Sequence, residues 1–161
     1  MKKIINIFQI LSISVVIILI IILLIPLLIG IKPYIVLSGS MEPKIKTGSV
    51  AYINTHVDVQ TISEGDIIGF MQGDKEVTHR VVSINENNTF TTKGDSNANA
   101  DFAPVTFEQY RGKTIFSIPY LGNLINSFKT KTGKFIIGII IGLNIVCIVF
   151  SEDKTKEEKN E

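Results

Sequence analysis

Two serines flank a glycine in the stretch Ser38-Gly39-Ser40-Met41-Glu42-Pro43, a few residues after a long apolar run. The pattern fits acyl transfer. One hydroxyl attacks a carbonyl carbon, while the hydroxyl two residues earlier and a backbone N–H face the oxygen on which charge develops. Pro43 fixes its own φ and biases Glu42 towards an extended backbone. Taken alone, Ser-Gly-Ser is an ordinary linker tripeptide, and a polar turn accounts for it equally well. A serine nucleophile also needs a base, and the base needs a group that orients it.

Of the two histidines, His79 is the better base. It lies in Glu76-Val77-Thr78-His79-Arg80-Val81-Val82-Ser83-Ile84, whose β-branched residues predict a strand. There Val77, His79 and Val81 share one face, and Thr78 and Arg80 the other. Apolar neighbours suit a neutral imidazole that must accept a proton, and they equally suit a packed core histidine. His56, in Asn54-Thr55-His56-Val57-Asp58, reads as a surface turn residue. The polar loop Lys93-Gly94-Asp95-Ser96-Asn97-Ala98-Asn99-Ala100-Asp101 supplies two carboxylates, and either could orient His79. Asp95, Asn97, Asn99 and Asp101 alternate like cation ligands. A calcium loop of the EF-hand type, however, needs glycine at its sixth position and glutamate at its twelfth. Counting from Asp95, those positions hold Ala100 and Thr106. The lone cysteine, Cys147, excludes a disulfide framework and a cysteine-based zinc site.

These groups need a scaffold, and the pattern predicts an antiparallel, mostly β middle. Val50-Ala51-Tyr52-Ile53, Asp66-Ile67-Ile68-Gly69-Phe70-Met71, the His79 segment, Thr89-Phe90-Thr91-Thr92 and Gly112-Lys113-Thr114-Ile115-Phe116-Ser117-Ile118 read as strands. Gln72-Gly73-Asp74 and Glu86-Asn87-Asn88 read as turns between them. Residues 32–130 carry nine Lys/Arg against ten Asp/Glu, so this region has no electrostatic footprint for nucleic acid.

Both ends of the chain are apolar. Residues 4–31 carry no charge and, as a helix, would reach about 42 Å, more than the roughly 30 Å hydrocarbon core of a bilayer. The run is longer than the apolar region of a cleaved leader and lacks an Ala-x-Ala-like site, so a retained anchor is expected. Asn6, Gln9, Ser12 and Ser14 in its first half read as interfacial or helix-contacting side chains. A second apolar run, residues 135–150, would reach about 24 Å, short for a span. It contains Gly138, Gly142 and Asn144, which suit close packing and a hydrogen bond to the first helix. The expected division is an N-terminus and first transmembrane helix at 1–31, a β domain at 32–133, a second transmembrane helix at 134–150 and a charged, disordered tail at 151–161. Lysines flank both runs on both sides, so the positive-inside rule does not choose an orientation.

Taken in order, the motifs resemble the type I signal peptidases, in their endoplasmic-reticulum-type branch, which also occurs in archaea and some Gram-positive bacteria. Ser38-Gly39-Ser40-Met41-Glu42-Pro43 looks like the nucleophile box and Gly65-Asp66-Ile67-Ile68 like the strand that follows it. Thr78-His79-Arg80 looks like the box carrying the base, where most bacterial relatives have lysine. Lys93-Gly94-Asp95, Asn97 and Asp101 look like the acidic box, and Ile118-Pro119-Tyr120-Leu121-Gly122 is similar to a late strand-and-turn element. The resemblance implies a membrane-bound serine endopeptidase with an antiparallel-sheet catalytic domain flanked by two transmembrane helices. It implies Ser40 as nucleophile, His79 as general base, Asp101 as the acid orienting it, Asp95 as a supporting acid and Ser38 in the oxyanion hole with the Ser40 N–H. It implies no metal or organic cofactor. Its partners would be secretory precursors, cut after a small-x-small motif, the lipid bilayer and the secretion translocon, with the catalytic domain on the extracytoplasmic face of the cell membrane.

Ser40 follows Ile31 by nine residues, within about 30 Å of chain, which suits an enzyme cutting just outside an apolar segment. Met41 and the β-branched strands are expected to line a shallow apolar groove for a small, uncharged motif. A membrane-anchored β domain that binds a protein or wall component without catalysis is the alternative. A self-cleaving regulatory peptidase with a Ser-Lys pair fits less well, because His79 occupies the base position and two apolar runs flank the domain.

Overall fold

The computed structural model describes residues 2–157 and divides into two compact units, residues 1–22 with 125–161 and residues 23–124. The second unit contains Ser38, Ser40, His79, Asp95 and Asp101. Its seven strands are β1 (Ile31–Ile35), β2 (Val50–Asn54), β3 (Ile67–Gln72), β4 (Lys75–Asn85), β5 (Thr89–Lys93), β6 (Val105–Thr106) and β7 (Tyr110–Ile118). They form one sheet in the order β1-β2-β7-β3-β4-β5-β6, and every pairing is antiparallel. The turns fall where Gly73 and Asn88 take the positive φ that tight hairpins require, 60° and 56°.

Two of these strands escaped the sequence pattern. β1 begins on the last residue of the uncharged run and has only five residues, Ile31-Lys32-Pro33-Tyr34-Ile35, and β6 has only two. The late strand-and-turn element, Ile118 to Gly122, ends β7 at Ile118 and turns at Pro119 and Tyr120 before running into a helix. Tyr120 has φ 61°, and α2 (Leu121–Lys129) begins at the next residue.

Two apolar clusters hold the sheet. Ile62, Ile68, Phe70, Val81, Phe90 and Val105 form the first, and Met41, Ile45 and Ile67 the second. Consecutive residues of β3 feed different clusters, Ile67 one and Ile68 the other, as strand alternation dictates. The second cluster corrects an expectation. Met41 is 1% exposed, so it anchors the turn that carries Ser40 and lines no groove. Tyr52 stacks on Phe116 at 4.5 Å and Phe90 on Phe107 at 5.1 Å. Burial pushes the Tyr110 phenol up to about 12, and its hydroxyl donates to the Val57 carbonyl at 3.1 Å.

The first unit contains most of α1 (Lys2–Leu28) and all of α3 (Lys131–Glu157). Both helices include segments long and apolar enough to cross a membrane, Asn6–Leu28 and Lys131–Ile148. The Ser12 hydroxyl lies 2.8 Å from Asn144 Oδ1, and the Asn144 amide donates back to the Ile140 carbonyl at 2.8 Å. Apolar side chains offer no directional contact, so this polar pair fixes the register of one helix against the other. α3 begins three residues before the expected second span and runs on to Glu157, through most of the segment read as a disordered tail. Residues 158–161 of that tail lie outside the described residues.

β2, β7 and β3 meet where Gly112 has φ 150°, and a Cβ built there would stand 2.4 Å from the Asn54 carbonyl oxygen. Gly112→Ala would combine a disfavoured backbone with a backbone clash. It is expected to cost about 1–3 kcal/mol of stability, read as a lower midpoint in thermal unfolding of the detergent-solubilised protein.

Candidate active site

Ser40 sits in a turn between β1 and β2 that is tied down internally. The Glu42 N–H donates to the Gly39 carbonyl at 3.0 Å and the Ile45 N–H to the Met41 carbonyl at 2.8 Å. Glu42 caps the far side, its Oε1 accepting the Thr47 N–H at 3.1 Å and the Thr47 hydroxyl at 2.8 Å. These two donors, the backbone one first, hold the Glu42 carboxyl below its ordinary range. The Glu42–Pro43 peptide is cis.

His79 lies on β4 opposite Ile68 of β3, and only 8% of it is exposed. Phe70 meets its ring edge-on with centroids 6.2 Å apart. Both ring nitrogens are engaged. Nδ1 is 2.6 Å from Asp101 Oδ2, and Nε2 is 3.1 Å from the Ser40 hydroxyl. An ionised carboxylate only accepts, so Nδ1 carries the ring hydrogen and Nε2 presents its lone pair to Ser40. The hydrogen of Ser40 is thereby committed to Nε2. The Ser38 hydroxyl, 3.3 Å from Ser40 Oγ, is left to donate to it.

The two acids of the polar loop have different partners. Asp101 takes His79, and it is held in turn by Thr92, whose hydroxyl donates to the same Oδ2 at 2.6 Å. The Thr92 carbonyl accepts the Asp101 N–H at 2.8 Å. Asp95 instead takes Arg80 in a two-pronged pair, Nε to Oδ1 and Nη2 to Oδ2, each 2.7 Å. Hydrogen bonding to Asp95 raises the Arg80 guanidinium above its ordinary value. The third prong, Nη1, donates to the Gly65 carbonyl at 2.6 Å, joining the start of β3 to the loop. Alternation along β4 thus sends His79 to one face and Arg80 to the other, and a single loop meets both.

Sequence reasoning passed over Thr92, Arg80 and Ser96. Thr92 carried a signal, being a polar residue at a core-facing strand position that proves fully buried. Arg80 was placed on the correct face without a partner. Ser96, which donates to the turn carrying Ser40, stands in a run of polar loop residues that look alike. His56 is exposed and takes no part in this cluster. Among the described residues, no three His, Cys, Asp or Glu side chains gather where they could hold a metal ion.

The family model for signal peptidase, peptidase S26, matches residues 8–98, more than half of the chain. The chain belongs to this family. The matched segment includes Ser38, Ser40, His79 and Asp95 and ends just before Asp101. Signal peptidase I W of Bacillus subtilis (strain 168) is 47% identical over 89 residues, covering 52% of this chain and 47% of that protein. The chain therefore spans less than half the length of that curated relative.

Gly94 brings the polar loop close against the Ser40 backbone. A Cβ there would stand 2.6 Å from the Ser40 carbonyl oxygen and 2.8 Å from Asn97 Nδ2. Gly94→Ala must displace the Ser40 backbone, and a misplacement near 1 Å costs on the order of 10² in rate. The expected outcome is a loss of about that size in kcat for peptide cleavage. A thermal unfolding curve run beside it should move far less than the activity does.

Proposed function

We propose that the protein is a membrane-bound signal peptidase, a serine endopeptidase that removes N-terminal signal peptides from secretory precursors. The observation that carries this reading is one imidazole hydrogen-bonded at both nitrogens, to a carboxylate and to a serine hydroxyl. As Ser40 Oγ bonds to the scissile carbonyl carbon, its proton passes to His79 Nε2, and Asp101 stabilises the imidazolium that forms. The carbonyl oxygen gains negative charge and is met by the Ser40 N–H and the Ser38 hydroxyl. The proton on Nε2 then goes to the leaving amine, and water releases the acyl group by the reverse sequence. Asp95 supports the site through Arg80 and does not touch the reacting atoms. Small residues before the cut follow from the family resemblance.

The same reading sets the topology. The β domain, residues 32–133, faces the extracytoplasmic side, because precursors are cut after they cross the bilayer. Residues 1–31 and 134–150 are the two spans, and both termini, including the tail 151–161, lie in the cytoplasm. Protease added to right-side-out vesicles should cut near the β4–β5 hairpin at residues 85–88 and spare residues 154–161. A digested tail beside an intact middle would reverse the orientation and sink the reading.

Precursor processing in membranes tests the chemistry. Ser40→Ala should abolish cleavage without loss of folded protein. Ser38→Ala should lose about 10²–10³ in rate, the usual scale for one oxyanion donor. A base must be neutral to accept a proton, so the rate should fall on the acid side of the pH profile as the imidazole is protonated. His79→Ala should be inactive, while Lys75→Ala and Lys93→Ala keep their activity. Activity in His79→Ala with loss in either lysine variant would point to a Ser-Lys mechanism.

A further inference from the structure

We infer that Ser96 is a positioning residue for the oxyanion hole, its hydroxyl aiming the Ser40 N–H through the Gly39 carbonyl. The inference rests on the peptidase reading above. Ser96 meets the nucleophile turn at three points. Its N–H donates to the Ser40 carbonyl at 2.9 Å, and its Oγ lies 2.9 Å from the Gly39 carbonyl oxygen and 3.0 Å from that of Ser40. A hydroxyl has one hydrogen to give. Each carbonyl already accepts one backbone N–H, Ser40 from Ser96 and Gly39 from Glu42, so the hydroxyl adds a second bond at either, and the Gly39 oxygen is the nearer at 2.9 Å against 3.0 Å.

The Gly39 carbonyl matters because of what shares its peptide plane. That plane ends in the Ser40 N–H, and in a trans peptide the two groups point in opposite directions. The peptide between Gly39 and Ser40 is trans, as the only cis bond in the described chain is at Glu42–Pro43. Holding the oxygen therefore sets the direction of the N–H. A hydrogen bond on the oxygen also polarises the amide and makes its N–H a stronger donor. Two donors, the Glu42 N–H at 3.0 Å and the Ser96 hydroxyl, grip this oxygen from separate parts of the chain. The Glu42 bond is local to the turn. The Ser96 bond bridges 57 residues and comes from the loop that also carries Asp101. One loop thus sets the base through Asp101 and the oxyanion donor through Ser96.

The test compares wild type, Ser96→Ala, Ser96→Thr and Ser40→Ala as full-length chains in detergent. A precursor peptide serves as substrate, and a peptide aldehyde ending in alanine serves as inhibitor. Addition of Ser40 Oγ to the aldehyde carbon leaves an oxygen in the oxyanion hole. Ser96 is exposed, so its replacement by alanine should leave the fold intact. Ser96→Ala should lose about 10-fold in kcat with KM unchanged, less than the 10²–10³ of removing an oxyanion donor outright. Aldehyde binding should weaken by a similar factor, and Ser96→Thr, which keeps the hydroxyl, should recover most of both. A wild-type kcat in Ser96→Ala overturns the inference. So does a change in KM alone, or a loss of kcat with undiminished aldehyde binding. Should Ser96→Ala fail to accumulate, Ser96→Cys, of similar size with a weaker donor, carries the same comparison. An inactive wild type, or an active Ser40→Ala, would instead sink the peptidase reading and the inference with it.

Discussion

An imidazole can serve two partners at once only if they reach its two nitrogens from opposite sides, and much of the second unit exists to meet that requirement. Ser40 lies 39 residues before His79 in the chain, and Asp101 lies 22 after it. Neither can approach by local structure. β4 holds the ring, a turn seated on Met41 brings the serine, and a loop leaving β5 brings the carboxylate. Each support is itself held. Met41 and Ile45 pack on Ile67, Thr92 grips Asp101, and Arg80 ties the loop to the strand beside it. The ring is nearly buried, so both bonds form where water competes poorly and each is stronger than it would be in the open.

Much of this was legible in the residue order. β-branched alternation gave β4 and placed His79 and Arg80 on opposite faces, because a strand's geometry is set by its own backbone. Glycine and asparagine marked the hairpin turns for the same local reason. What stayed hidden was non-local. β1 has five residues, two of them Lys32 and Pro33, too few and too mixed to show strand alternation. β6 is too short to show any period. Met41 looked like a groove residue because exposure depends on what packs beneath a turn. The two loop acids were interchangeable on spacing alone. Their division between His79 and Arg80 depends on how the loop folds over the sheet.

The polar loop, which read as a solvated connection with two acids, has most of its specificity in small contacts. Gly94 lets the backbone approach the Ser40 carbonyl, Asp95 takes a guanidinium, Ser96 meets the turn and Asp101 meets the His79 ring. Loops are where sequence periodicity says least, and here a loop does the work of a strand in bringing distant groups together.

The contact between Ser12 and Asn144 joins positions 132 residues apart. A chain made from its N-terminus contains the serine long before the asparagine exists. Until then the Ser12 hydroxyl has the Gln9 carbonyl of its own helix, 3.0 Å away, to lean on. Pairing of the two helices therefore waits on synthesis of α3, and each polar side chain bridges that interval with a carbonyl of its own helix.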